Sequence, residues 1–462
     1  MSAVRRWHAE LAWLPGRGVH SGVLIEAAGR CFTAVTPGVA PGDCPPGTVR
    51  LAGFTLPGLA NAHSHAFHRA LRGVVQAGPG TFWTWRERMY QVAGRLQPDS
   101  YLALASAAYA EMALAGITCV GEFHYLHHDV GGARYADPNE MGRVLIEAAA
   151  QAGLRITLLD TCYLRGGLSP DGSPVPLSGA QWRFGDGDGD RWAERAGQLG
   201  PDEHGMLSAH ARAGVAIHSV RAVPPDQMRP VIAWSHVYGA PLHAHLSEQP
   251  AENEACLAAY GVTPARLLEQ AGALGPRTTA VHATHLTGDD IALLGDTRTT
   301  ACLCPTTEAD LADGIGPARA LAAAGCPLSL GSDSHAVVDL LAEARLVEMG
   351  ERLVSGRRGS FPAEELAQAA TGAGHACLGW PEAGEITPGA LADLVTVALD
   401  TPRLAGAQAG SVLESVIFAG SAADVRHVVI SGRDVVAGGR HLLVDDVPAA
   451  LDAAITPLLA TL

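Results

Sequence analysis

The chain contains no lysine; all 32 of its cationic side chains are arginine. No amine is therefore available for a Schiff base, and no carbamylated lysine can bridge two metal ions. Cysteine supplies no framework either. Nine are scattered, the count is odd and no C-x-x-C occurs, which points to buried free thiols in a reducing compartment instead of disulfides. Cys302-Leu303-Cys304 reads as two small residues filling a buried strand. No charge-free apolar run is long enough to cross a bilayer, and the first residues lead into no signal-peptide core. A cytoplasmic protein with no membrane partner is the expectation. Positive charge is also scarce: a formal net charge of −15 argues against a nucleic-acid partner, which would need a basic face. An anionic substrate must then be held by particular arginines acting against the average field.

What is present suits a large folded enzyme. Hydrophobic residues make up 48% and charged residues 17%, which excludes a largely disordered chain, and 462 residues accommodate an α/β barrel with a flanking domain. Apolar strand candidates at 54–63, 117–125, 155–163, 214–219, 241–246, 279–283, 300–304 and 327–333 alternate with helical stretches at 101–115, 139–152, 202–212, 225–237, 251–258, 263–272, 288–294, 317–324 and 338–353. Eight such repeats predict a (β/α)₈ TIM barrel over 57–381, with its chemistry where strands end and loops begin. Turn-bounded strands in 1–56 and 382–462 predict a discontinuous β-sandwich domain built from both chain ends, since neither end alone has strands enough to bury a core. The Gly- and Asp-rich stretch 165–190 lacks the spacing of a calcium loop and is expected to be a solvated loop over the barrel mouth, a candidate lid.

The segment Leu56-Pro57-Gly58-Leu59-Ala60-Asn61-Ala62-His63-Ser64-His65 organises the rest. Residues two apart on a strand share a face, so His63 and His65 can put two imidazoles on one metal ion. His243-Ala244-His245-Leu246-Ser247-Glu248 repeats the pattern and adds a carboxylate able to move protons beside a metal-bound water. Gly331-Ser332-Asp333-Ser334-His335 ends the last strand in Asp333, read as a metal ligand over its alternative as a helix cap; His335 is expected nearby, off the ion. Of His282 and His285 at another strand end, His282 is expected to face the site and His285 to pack under a loop. His218 lies at a strand end three residues before Arg221, whose guanidinium can clamp a carboxylate or form a surface salt bridge. Thr81-Phe82-Trp83-Thr84-Trp85-Arg86 offers Arg86 as a second anion clamp, with Trp83 and Trp85 as core packing. Tyr125 can donate to a substrate, and His124, His127 and His128 are expected at the surface or behind the site.

In order along an apparent barrel, His63-Ser64-His65, His245, His282 and Asp333 resemble the amidohydrolase superfamily, and His-Leu-Ser-Glu is similar to its mononuclear deaminase branch. Asn61–Phe67, Thr81–Arg86, Glu122–Asp129, His218–Arg221 and Gly331–His335 more narrowly resemble the formimidoylglutamate deiminase family. That resemblance implies zinc held by His63, His65, His245 and Asp333, one ion per subunit, with Fe²⁺ or Mn²⁺ able to use the same ligands. It implies Glu248, His282 and Asp333 as catalytic groups. Arg86, Tyr125, His218 and Arg221 would contact the substrate, as would His68, where that family usually has Gln. The implied reaction is hydrolysis of N-formimidoyl-L-glutamate, a small dicarboxylate, to N-formyl-L-glutamate and ammonia by a homodimer. A deaminase of a nucleobase or cyclic amidine, and a non-catalytic metal-binding barrel, are the competing expectations.

Overall fold

A computed structural model describes residues 4–460 of the chain. Strands β1 (Val4–Leu14), β2 (Gly18–Ala28), β3 (Cys31–Thr36) and β4 (Val49–Pro57) come from the first part of the chain. Next come β5 (Leu59–Ser64), β6 (Ile117–His124) and β7 (Arg155–Cys162), then a small hairpin of β8 (Gly167–Leu168) and β9 (Pro174–Val175). The series continues with β10 (Ala211–Ile217), β11 (Leu242–Leu246), β12 (Thr278–His282), β13 (Thr300–Leu303) and β14 (Leu328–Leu330). Last are β15 (Leu394–Val397), β16 (Val425–Ile430), β17 (Arg433–Ala437) and β18 (Arg440–His441).

Two eight-stranded sheets result. One runs β14-β13-β12-β11-β10-β7-β6-β5, all parallel, and a Ser64–Asp333 bridge brings its two edges together into the expected (β/α)₈ barrel. Every residue of β6 and β7 is buried, as befits parallel strands covered on both faces. Ala62, Cys119, Val281, Cys302, Cys304, Cys377, Leu378 and Trp380 pack as one interior cluster, so cysteine serves here as a small hydrophobe. All nine thiols are free.

The other sheet runs β18-β17-β16-β15-β4-β1-β2-β3 and joins the two chain ends in register, β4 pairing with β1 on one side and β15 on the other. A separate core that includes Trp7, Ile25, Phe32, Leu394 and Val429 lines it. A buried Arg155–Asp393 pair staples it to the barrel, with Arg155 also donating to Ser431 at 2.9 Å and lying over the Trp380 ring. Removing one partner of such a buried pair typically costs about 3–5 kcal/mol.

Some elements depart from the expectation. The single strand 54–63 is two strands: the chain leaves the end sheet at Pro57 and enters the barrel at Leu59, turning at Gly58, where a Cβ would run into Thr118. Residues 202–212 are not helical. Asp202 accepts the His204 and Met206 N–H groups at 2.9 and 2.8 Å, and the resulting turn outcompetes a helix before β10 begins at Ala211. Several helices lie where none was expected, among them α1 (Phe82–Ala93), opened by a Thr81/Thr84 capping box, Gly189–Gly197, capped by Asp188, and Ala363–Ala370, Val412–Ala419 and Val447–Leu459 nearer the end of the chain. The 165–190 stretch is thus only partly solvated. Asp186 is buried against Arg195 and His128, and Phe184 is fully buried.

Candidate active site

The seam of the barrel builds the site. Ser332 and Asp333 both donate backbone N–H groups to the His63 carbonyl at 3.1 Å, and the His65 N–H reaches the Asp333 carbonyl at 3.4 Å. The two ends of the sheet therefore meet at the predicted ligands. Gly331 permits the approach, since a Cβ there would lie 2.7 Å from the His63 Cβ and 2.9 Å from the Cys304 Sγ. Beyond the strands, Ser247, His282, Ala283, Asp333 and His335 all take left-handed backbone conformations, with φ between 37° and 68°. For residues other than glycine this is uncommon and is held only where the surroundings over-determine it.

Asp333 Oδ1 lies 3.3 Å from His63 Nε2 and 3.4 Å from His65 Nε2. His245 Nε2 is 3.1 Å from His63 Nε2. The other nitrogens decide what these atoms are. His65 Nδ1 lies 2.9 Å from the Phe123 carbonyl and His245 Nδ1 lies 3.0 Å from the His218 carbonyl. A carbonyl accepts only, so Nδ1 carries the proton in both rings and Nε2 presents a lone pair to the centre. Burial keeps the rings neutral: it lowers His63 and His245 and pushes His65 down to about 3. Burial acts to raise Asp333, but the His63 hydrogen bond and the surrounding imidazoles hold it well below the usual carboxylate range. Neutral nitrogens converging on one carboxylate oxygen are a donor set for a divalent cation, and His63, His65 and Asp333 lie close enough to share one.

The predicted catalytic groups flank this cluster. His282 Nε2 is 3.6 Å from Asp333 Oδ2 and 3.7 Å from Glu248 Oε1, while its Nδ1 is 3.4 Å from Glu308 Oε1. Burial alone would lower the His282 ring; Glu248, Glu308 and Asp333 more than offset it, so the ring titrates well above its ordinary value. Glu248 is raised by burial, partly opposed by His282 and Arg221. His285 packs under a loop as expected, its Nε2 2.7 Å from the Asp313 carbonyl, and buried His335 meets the Ser64 hydroxyl at 2.9 Å.

Above the cluster is a cavity whose lining includes His65, His68, Arg86, Tyr125, His218, Arg221, Glu248, His282 and Asp333. All five expected substrate contacts thus face one space. His68 Nε2 lies 3.1 Å from the Tyr125 hydroxyl. Arg86, on α1, donates to the Tyr90 and Tyr163 hydroxyls at 2.5 and 3.3 Å and to the Gly166 carbonyl at 2.9 Å. It has no carboxylate partner among the described residues. Arg221 is nearly buried, its Nη2 3.6 Å from Glu248 Oε2 and its Nε 3.5 Å from Glu252 Oε2. It is not a surface salt bridge.

Some expectations fail here. Trp83 is 47% exposed instead of core, because α1 turns that face outward; Trp85 meets the edge of His68. Of the two alternatives for His124, His127 and His128, at the surface or behind the site, the surface is excluded: all three are buried, with His127 Nε2 2.8 Å from the Thr161 carbonyl and His128 Nε2 3.1 Å from Asp186 Oδ1. Tyr90, Tyr163 and Phe184 line the cavity although no sequence motif marks them. Glu252 and Glu308 were equally unmarked; each follows a strand-end motif by one helical turn, the one signal that could have found them.

The amidohydrolase family profile matches residues 54–435. The chain belongs to the amidohydrolase family. Among relatives in that family, a formimidoylglutamate deiminase of Pseudomonas aeruginosa is 38% identical over 86% of this chain and 87% of its own. An 8-oxoguanine deaminase of the same organism is 31% identical over 76% of each chain. The crystal structure of an amidohydrolase from Brucella melitensis superposes with a TM-score of 0.89 at 35% identity, covering 98% of this chain and all of that one. An adenosine deaminase from Xanthomonas campestris with bound zinc superposes with a TM-score of 0.84 at 25% identity, covering 99% and 98%.

Proposed function

We propose that this amidohydrolase is a formimidoylglutamate deiminase, hydrolysing N-formimidoyl-L-glutamate to N-formyl-L-glutamate and ammonia in histidine degradation. The observation that carries the reading is a pair of arginines in the cavity that holds the metal-binding cluster. Arg86 and Arg221 line the same space as Asp333 and Glu248, with Arg221 3.6 Å from Glu248. A protonated formimidoyl group with carboxylates behind it matches that arrangement, and a neutral purine does not use two arginines. The 38% identity to a formimidoylglutamate deiminase supports the same choice.

The proposed ligands are His63, His65, His245 and Asp333, and zinc is the ion that such nitrogen and oxygen donors favour, with Fe²⁺ or Mn²⁺ as alternatives. When bound, the ion supplies Lewis acidity and a water nucleophile at neutral pH. Asp333 Oδ2, 3.6 Å from His282 Nε2, would be the acceptor for a proton from that water. Glu248, whose affinity for a proton burial raises and which stands 3.7 Å from His282, relays a proton to the departing nitrogen, so that ammonia leaves in place of an anion. His282, kept protonated by its three carboxylate neighbours, balances charge at the reacting carbon. Arg86 and Arg221 bind the carboxylates, and His68, Tyr125 and His218 complete the contacts. One water is consumed and one ammonia released.

Residues 57–381 form the catalytic unit of this reading, with 1–56 and 382–462 as its discontinuous companion. A homodimer is part of the reading, on the family resemblance. Nine free thiols fit a cytoplasmic location, and the net charge of −15 fits the absence of a nucleic-acid partner. No helix is long and apolar enough to cross a membrane among the described residues.

The test is ammonia release from N-formimidoyl-L-glutamate beside guanine, 8-oxoguanine and adenosine. Turnover confined to the formimidoyl compound is expected; turnover of a purine alone would move the protein to the nucleobase reading. In the same assay Arg221→Met lowers kcat/KM by about 10- to 100-fold, because a charge-assisted hydrogen bond contributes about 1.5–3 kcal/mol. A loss below threefold would assign the anchor elsewhere.

A further inference from the structure

Glu252 is a buried carboxylate that no step above uses. It lies in the first turn of the helix Pro250–Tyr260, one turn beyond Glu248, and is 1% exposed. Among the described residues its oxygens make no hydrogen bond of close geometry; the Glu248 backbone N–H is near, and the cation paired with it is Arg221, with Nε 3.5 Å from Oε2. A carboxylate in this position sits at the positive end of the helix dipole, yet burying it still demands a specific partner.

Arg221 lies between two acids. Its Nη2 is 3.6 Å from Glu248 Oε2, its Nε side faces Glu252, and its guanidinium carbon lies 5.9 Å from the Phe82 ring centroid. With Glu248 as the sole acid, the guanidinium would close on the group that has to move protons. With Glu252 behind it, the Nε edge is occupied, and Nη2 stands 3.6 Å from Glu248, beyond hydrogen-bond distance, on the lining of the cavity.

We propose that Glu252 is a positioning residue for substrate recognition: it holds Arg221 so that the Nη edge meets a substrate carboxylate and the guanidinium does not collapse onto Glu248. The inference rests on the reading of Arg221 as a carboxylate anchor. It requires a loss that appears in binding and vanishes when Arg221 is absent, which loss of general packing would not produce.

The experiment is a double-mutant cycle on the metal-loaded enzyme. KM and kcat are measured for N-formimidoyl-L-glutamate, and Kd for N-formyl-L-glutamate is measured by calorimetry. Glu252→Gln raises KM and Kd by about tenfold, the loss of one charge-assisted contact, while kcat stays within about threefold. In the Arg221→Met background the same change adds less than about twofold, because the partner through which it acts is gone. Glu252→Asp, which keeps the charge on a shorter stem, is the second variant and carries the proposal if Glu252→Gln does not fold. It raises KM by about threefold, and only when Arg221 is present. If Arg221→Met raises KM while the Glu252 variants leave it within twofold, or if the two effects multiply, Glu252 has no positioning role. If Arg221→Met leaves KM and Kd unchanged, the anchor reading itself falls and this inference with it.

Discussion

Glu248→Gln lowers kcat by about 10²- to 10⁴-fold while the metal content of the protein stays at its unsubstituted level. The first half follows from position. Glu248 Oε1 is 3.7 Å from His282 Nε2, and the carboxyl lines the cavity with a raised affinity for its proton. Glutamine keeps the shape and cannot transfer a proton to the leaving nitrogen. The second half follows from the donor set, in which His63, His65 and Asp333 cluster without Glu248. Steady-state ammonia release alongside elemental analysis reads both. Near-normal turnover with the metal bound would remove Glu248 from the mechanism.

Asp333→Asn has a larger effect on a different pair of readouts. This residue provides the carboxylate oxygen facing His63 and His65, and its second oxygen faces His282. Asparagine preserves volume and removes both the negative charge and the proton acceptor. Metal occupancy falls, and kcat falls by about 10³-fold or more even when metal is resupplied in excess, since proton transfer alone accounts for about 10²–10⁴. Circular dichroism separates this from misfolding, because the backbone contacts that close the seam, Ser332 and Asp333 to the His63 carbonyl, do not involve the side chain. The next helix is capped by Asp339, not Asp333, so full metal content with full turnover would leave Asp333 with neither the ligand role nor the cap role.

The site was legible where chemistry sits on regular structure. His63, His65, His245, His282 and Asp333 stand at or just beyond the ends of apolar strands, so period-2 reading gives their facing and the barrel gives their convergence. Arg86, Tyr125, His218 and Arg221 also reach the expected cavity. Illegible were residues whose role depends on neighbours distant in the chain. Glu308 reaches His282 across a strand-to-helix turn, and Glu252 reaches Arg221 from the next helix. Phe184 enters the pocket because the 165–190 segment folds inward, drawn by Asp186 onto Arg195, and composition read that segment as solvated; Tyr163 enters directly beyond the end of β7. The misjudged helix over 202–212 has the same origin. Its residues are passable helix formers, but Asp202 offers the backbone a local alternative that propensity does not weigh.

The central claim is that four side chains from the ends of three strands hold one catalytic cation. Elemental analysis of the purified protein, paired with ammonia release from N-formimidoyl-L-glutamate before and after chelation, tests it most directly. The account predicts about one equivalent of a divalent metal per chain, loss of turnover on its removal and recovery on its return. Undiminished turnover in protein stripped of metal would contradict it.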